Sequence, residues 1–161
     1  MNTECLRIAD QLRRAFAGDA WHGPSLKQLL TGVTPEQAHA HPVATAHSIW
    51  ELVLHIEVWT QAAGAAVRGV PMPKIVGTEK DWPPVTDSSP EAWTAATSRM
   101  LDTREQLALG METFSDARLS ETVPGRQYDF YYLFHGVVQH SLYHAGQIAL
   151  LKKSSAVKTA T

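Results

Sequence analysis

Two histidines four residues apart, His140 and His144, are the side chains whose type and spacing most directly suggest chemistry. They lie in the stretch HGVVQHSLYHAGQIALLKK, whose apolar residues recur with the period of an α-helix. A step of four residues places both imidazoles on one helical face, one turn apart. Two imidazoles arranged in this way can bind a single metal ion from the same side.

The rest of that helical face is aliphatic, and its other members are Leu133, Val137, Ile148 and Leu151. The two imidazoles are therefore expected to point into the core, where a polar group is costly unless it has a partner. The motif is not the HExxH of zinc proteases, because Ser141 rather than a glutamate follows His140. Spacing alone leaves two interpretations open, metal ligands or hydrogen-bonded core histidines.

Apolar periodicity predicts four long helices, over residues 3–18, 46–68, 88–111 and 129–153. Segment 19–44 carries start signals for two short helices, and segment 69–87, which contains four prolines, reads as a long crossover. Residues 115–127 form a shorter, turn-rich link. The elements predict an all-α fold, a four-helix bundle with two long crossover connections. We expect one domain over residues 1–153 and a disordered tail at 154–161.

A third histidine, His55, lies at the edge of the apolar face of the second predicted helix. Helices of a bundle can aim side chains at a common point, so His55 can join His140 and His144. Three neutral imidazoles suit Zn²⁺, Ni²⁺, Fe²⁺ or Mn²⁺ and leave coordination positions open for water or substrate. A closed structural zinc site would need four ligands, often thiolates, and Cys5 is the only cysteine.

Three polar residues near these histidines have two interpretations each. Glu51, one turn before His55, either orients that imidazole or is an exposed helix carboxylate. His47, near the start of the helix, either reaches a water at the metal or has a capping or packing role. Gln147, one turn past His144, either bonds to a ligand or to a backbone carbonyl.

Several other residues are candidates for the walls of a cleft or for plain packing. Trp21, His22 and Tyr128 are candidates for its mouth, although segment 19–44 also suits a packed surface loop. Tyr143 is expected to pack in the core or against a second subunit. Glu57 is expected to be solvent-exposed.

Composition excludes several function classes. The chain has 161 residues, 44% hydrophobic and 19% charged, with a net charge of -2 when histidines are neutral. Such a chain has no basic excess to bind phosphates, so nucleic acid is not an expected partner. No signal peptide and no apolar run of 18 residues is found, so no membrane association is expected and the expected location is cytoplasmic.

Three separated motifs resemble the DinB-like (damage-inducible) family of metal-dependent enzymes. They are WHGPSLKQLL, AHSIWELVLHIEVW and HGVVQHSLYHAGQIALLKK, and the resemblance extends from about Leu6 to Lys153. It implies a four-helix bundle with two long crossovers. It also implies a divalent metal, Zn²⁺ or Ni²⁺ first with Fe²⁺ or Mn²⁺ as alternatives, held by His55, His140 and His144.

The function implied by this resemblance is a metal-dependent enzyme acting on a small-molecule substrate. Related proteins include bacillithiol transferases and a mycothiol-dependent maleylpyruvate isomerase. The metal would activate a water or a low-molecular-weight thiol co-substrate, for hydrolysis or for thiol transfer. No side chain is assigned as the catalytic group, and a homodimer is implied. The alternative is a non-catalytic protein that binds a metal or a small ligand.

Overall fold

The computed structural model describes the backbone of residues 3–158 and the side chains of residues 3–154. Within that range the chain forms six α-helices, a short 3₁₀ helix at Asp116–Arg118, and no β-sheet. The helices are α1 (Thr3–Phe16), α2 (Leu26–Leu30), α3 (Pro35–His39), α4 (Ile49–Val67), α5 (Pro90–Thr113) and α6 (Phe130–Lys158). The predicted all-α fold is confirmed.

The four long helices pack in a closed ring, in which α4 and α1 each contact both α5 and α6. One hydrophobic cluster lies between them and includes buried residues from all six helices. None of the helices formed by residues 3–158 is long and apolar enough to cross a membrane.

Helices α4 and α5 run in the same direction. The rings of Trp50 and Trp93, near the starts of the two helices, lie 5.1 Å apart, and further along Arg99 Nε lies 3.3 Å from Glu57 Oε1. Two parallel neighbours cannot be joined by a tight turn. The connection 68–89 must return along the 19 residues of α4, a distance of about 28 Å at 1.5 Å per residue. The parallel packing therefore requires the long proline-rich crossover.

Helix α4 begins at a capping box, which sets where His55 falls on the helix. The Ser48 N–H donates to Glu51 Oε2 at 2.8 Å, and the Glu51 N–H donates to Ser48 Oγ at 3.2 Å. These two bonds satisfy amide groups that have no partner within the helix. The helix consequently starts at Ile49, three residues later than periodicity alone predicts.

The crossover is held against the connection between α5 and α6. The Met72 N–H donates to the Pro124 carbonyl at 2.9 Å, and Arg126 Nη1 donates to the Met72 carbonyl at 3.0 Å. Gly125, at φ +81°, permits this approach, since a Cβ there would lie 3.1 Å from the Met72 carbonyl oxygen. These bonds fix the first part of the crossover, and its later residues Asp81 and Trp82 cover His55.

The last helix is longer than expected, and this corrects part of the predicted disordered tail. Helix α6 continues to Lys158, so residues 154–158 are helical. No glycine or proline follows Lys153 to end the helix. Lys152 Nζ also fastens this end of the helix by donating to the carbonyls of Leu29 and Thr31 at 2.8 and 2.6 Å. Residues 159–161 lie outside the described part of the chain.

Glu57 is buried, contrary to the expectation that it faces solvent. Its side chain is 6% exposed and accepts hydrogen bonds from Gln61 Nε2 at 3.0 Å and Arg99 Nε at 3.3 Å. Helix α5 covers this face of α4, which a single-helix pattern does not reveal. The partners on both helices compensate the burial of the carboxylate.

Arg104 is fully buried in the core, where α5 faces α6. Its Nη1 donates to Ser141 Oγ, and its Nε and Nη2 have no hydrogen-bond partner among the described residues. Burial lowers the pKa of Arg104 to about 9. A buried guanidinium without a carboxylate partner is a destabilising element of this core.

We expect Arg104→Met to raise the free energy of unfolding by about 1–4 kcal/mol, because it replaces a buried unpaired charge by an apolar side chain of similar length. Ser141 keeps a partner in the variant, since its hydroxyl donates to the Val137 carbonyl at 2.6 Å. Urea unfolding followed by circular dichroism measures the change.

The matched control is Arg99→Met on the same helix, which removes a partner of the buried Glu57 carboxylate and should destabilise the protein. Destabilisation by both substitutions would contradict the assignment of Arg104 as a destabilising charge.

Candidate metal centre

Three histidines meet where α4 packs against α6. His55 comes from α4, and His140 and His144 come from successive turns of α6. The Nε2 atom of His140 lies 3.0 Å from Nε2 of His55 and 3.0 Å from Nε2 of His144. His55 and His144 are buried and His140 is partly buried. The packing therefore brings together the three residues that spacing and resemblance single out.

The hydrogen bonds on the far side of two rings fix their tautomers. His55 Nδ1 donates to the Asp81 backbone carbonyl at 2.6 Å, and His144 Nδ1 donates to Gln147 Oε1 at 2.6 Å. Each acceptor is an oxygen, so the proton of each neutral imidazole sits on Nδ1. Both Nε2 atoms consequently present a bare lone pair toward His140.

This arrangement of nitrogen atoms matches a metal-binding site. Neutral His140 carries at most one proton on Nε2, so it cannot satisfy the lone pairs of both His55 and His144. A cation between the three nitrogens would satisfy all of them. Ligands at 2.0–2.1 Å in a tetrahedral site lie about 3.3 Å apart. The two nitrogen pairs that include His140 are near this value at 3.0 Å, and all three ligand atoms lie within 4.8 Å of one another.

Burial keeps the three imidazoles neutral. Desolvation, followed by repulsion from the neighbouring histidines and Arg104, lowers the pKa of His140 to about 3. Desolvation likewise lowers the pKa of His144 to about 4. The pKa of His55 is also lowered by desolvation, although its interactions with Asp81 oppose the change. Neutral imidazole is the form that binds metals, so the site is ready for a cation at neutral pH.

Trp82 holds the His55 ring from one side. The two rings stack at 3.9 Å between centroids with an interplanar angle of 8°, and His47 stacks on the same indole at 3.5 Å and 5°. The indole thus lies between His47 and the histidine cluster. His47 therefore takes the packing role, and its alternative role near the metal is not supported by the geometry.

Glu51 does not orient His55. Its carboxylate closes the capping box with Ser48 and lies 3.2 Å from His41 Nε2 and 3.3 Å from His47 Nδ1. The position of Glu51 in the first turn of α4 commits it to the helix start. The partner of His55 is instead the Asp81 carbonyl, which belongs to the crossover.

A cavity of about 540 Å³ adjoins the histidine cluster. Its volume lies within the range of small-molecule sites. Tyr128 lines the cavity, in agreement with the sequence prediction. Gln147 is not among the lining residues and instead accepts the hydrogen bond from His144 Nδ1. Tyr143 also lines the cavity and is mostly exposed, so it does not pack in the core, and its packing against a second subunit stays a prediction. The lining residues are His55, Trp59, Val76, Asp81, Trp82, Tyr128, Tyr132, Leu133, Gly136, Val137, His140, Tyr143 and His144.

Trp21 and His22 lie elsewhere and do not line this cavity. They border a separate groove between α1 and α6, together with Val138 and Leu142, and the Trp21 side chain is fully exposed. The opposite face of α6 carries the histidines. The prediction that Trp21 and His22 line the cleft mouth is therefore wrong, because the part of the segment that carries them lies against the other face of α6.

Sequence reasoning missed the two crossover residues that position His55. Besides its carbonyl, Asp81 places Oδ1 3.2 Å from His55 Nδ1 and accepts a hydrogen bond from Trp59 Nε1 at 2.9 Å. Asp81 and Trp82 lie in a segment without periodicity, so no face could be assigned to them. A carboxylate and an indole side by side in a proline-rich crossover were the available signal.

Comparison with known proteins defines the class of this chain. The sequence model of the DinB superfamily matches residues 20–148, a range that contains all three histidines. The chain belongs to the DinB superfamily. No curated protein and no solved structure matches it.

We expect metal-free protein to lose stability as the pH falls below about 6.5. The histidines of the unfolded chain take up protons near that pH, while folded His140 and His144 remain neutral down to about pH 4. The unfolded state then binds more protons, so the free energy of unfolding decreases with decreasing pH. Urea titrations between about pH 7 and pH 4.5 measure this slope.

The control is the double variant His140→Gln/His144→Gln, whose stability should depend less steeply on pH in this window. Carboxylates contribute equally to the pH dependence of the free energy of unfolding in the variant and in the parent chain. Equal slopes for the variant and the parent chain would refute the assignment of neutral buried imidazoles.

Proposed function

We propose that this protein is a metal-dependent enzyme, with a divalent ion, Zn²⁺ or Ni²⁺ first and Fe²⁺ or Mn²⁺ as alternatives, on His55, His140 and His144. The observation that carries the proposal is the convergence of three Nε2 atoms beside an open cavity. Two bare lone pairs and a third neutral imidazole are a donor set for a cation. Membership of the DinB superfamily supports the same conclusion.

The open side of the cluster favours catalysis over a closed structural site. Among the described residues, the cluster contains three ligand side chains, and His47 and Glu51 are held by other partners. Three protein ligands with an adjoining cavity are the usual arrangement of a catalytic metal. A divalent ion held there would supply Lewis acidity, which lowers the pKa of a water or thiol bound to it.

The residues around the cluster have defined tasks in this proposal. Asp81 and Gln147 hold the Nδ1–H groups of His55 and His144, so that the Nε2 atoms keep their direction. Trp82 covers the His55 ring and excludes water from that side. Hydrolysis and thiol transfer to an electrophile remain the two reactions proposed, with the thiol as a low-molecular-weight co-substrate. A cytoplasmic homodimer is part of the same proposal.

One feature favours the alternative, a binding protein without turnover. Asp81 is the only carboxylate among the residues that line the cavity, and it already accepts the Trp59 indole N–H. No uncommitted aspartate or glutamate in the wall is available as a general base. The two functions differ in whether a loaded protein converts any electrophile.

We expect His140→Ala and His144→Ala each to abolish stoichiometric metal binding, because two remaining imidazoles hold a divalent ion weakly. Elemental analysis of protein purified without chelator or added metal gives the ion and its stoichiometry. The control is His22→Ala, which removes an exposed histidine of the separate groove and should leave the metal content unchanged. Unchanged metal content in the His140 and His144 variants would rule out this site.

We expect turnover of at least one substrate in a screen of esters, and of electrophiles offered with a thiol, by metal-loaded protein. Chelation should abolish this turnover, and adding the ion back should restore it. Product formation measured by chromatography checks both steps. Turnover that survives chelation would contradict the proposal, and metal binding without turnover across the screen would favour the binding protein.

A further inference from the structure

The cavity walls beyond the histidines are aromatic and aliphatic. Five of the ten lining residues other than the histidines are aromatic, namely Trp59, Trp82, Tyr128, Tyr132 and Tyr143. Such rings bury large apolar areas and favour contact with other planar groups. The walls therefore have the composition of a surface that binds an aromatic body.

Among residues 3–154, whose side chains the structure describes, no lysine or arginine lines the cavity. The one acidic group in the wall is Asp81, whose Oδ1 accepts the Trp59 indole N–H at 2.9 Å. Asp81 would repel a negatively charged ligand rather than bind it. The walls thus provide no cationic partner for a carboxylate or a sulfonate.

Arg104 does not supply the missing cation. It is fully buried, its Nη1 donates to Ser141 Oγ, and it is not among the residues that line the cavity. Its guanidinium cannot form a hydrogen bond with a ligand against the aromatic walls. An anionic group against these walls would lose part of its hydration without gaining a cationic partner, which is unfavourable.

We propose that the cavity selects an uncharged, aromatic small molecule as the body of its substrate. This inference rests on the proposed function, since it takes the cavity as the substrate site of the metal centre. It makes an uncharged aromatic electrophile the preferred substrate class. Molecules that carry carboxylates on the part facing Tyr128, Tyr132 and Tyr143 are discriminated against.

The test compares two probes of nearly equal shape, naphthalene-2-carboxamide and naphthalene-2-carboxylate. Equilibrium dialysis at pH 7.5 measures their dissociation constants for the full chain after metal removal, so that coordination of the carboxylate to an ion does not contribute. We expect the amide to bind at least about tenfold more tightly than the carboxylate, because the wall cannot pair the negative charge. Equal or tighter binding of the carboxylate, or binding of neither probe, would overturn the inference.

A pair of adjacent tyrosines provides a charge-introduction test. Tyr132 lines the cavity, whereas the ring of neighbouring Tyr131 lies against His135 and is not part of the wall. Both are exposed. Tyr132→Lys should lower the dissociation constant of the carboxylate and reduce the ratio between the dissociation constants of the two probes. Tyr131→Lys should leave both dissociation constants unchanged. The same response in both variants would show that the probes bind elsewhere.

These outcomes are distinct from those of the metal experiments. The probes report on the walls in metal-free protein, and elemental analysis reports on the three histidines. Metal binding with no preference for the amide would refute only the substrate class. A preference for the amide in a chain that binds no metal would refute the proposed enzyme and leave the ligand preference standing.

Discussion

The site depends on one constraint, which is that each nitrogen of a buried imidazole needs a partner. His55 and His144 meet it on one side by donating Nδ1–H to an oxygen, the Asp81 carbonyl and the Gln147 side chain. The same bonds leave their Nε2 atoms without a proton. Both atoms then face His140, which can donate to only one of them. The structure thus satisfies the outer side of the cluster with protein groups, and on the inner side it presents nitrogen atoms that could hold a cation.

The direction of the helices explains why the crossover takes part in the site. Because α4 and α5 are parallel neighbours, the chain must return from the end of α4 to the start of α5. It does so along the outside of the four-helix ring. The crossover passes the outer side of His55 and buries it there with the Asp81 carbonyl and the Trp82 ring. A tight turn between antiparallel helices would leave this imidazole without its backbone acceptor. The crossover is therefore both a topological requirement and part of the candidate metal centre.

Sequence periodicity predicted the four long helices and the position of the three histidines, since both follow from the 3.6-residue repeat. It could not predict contacts made by segments without a repeat, and so Asp81 and Trp82 were missed. It also failed where a second helix covers a polar face, as α5 covers Glu57. Trp21 and His22 were misplaced for a related reason, because composition identifies an aromatic segment but not the side of α6 along which it passes.

The candidate metal ligands and the exposed part of the cavity wall differ in how firmly the core holds them. The three histidines belong to the middle of α4 and α6, where the packing of the helices holds them within the core. Part of the cavity wall comes instead from the crossover and from the segment that opens α6, including Tyr128 and Tyr132. Tyr132 is exposed and has few constraints from the core. A substitution at Tyr132 can therefore change the wall without moving the histidines, because the bonds that orient His55 and His144 come from Asp81 and Gln147.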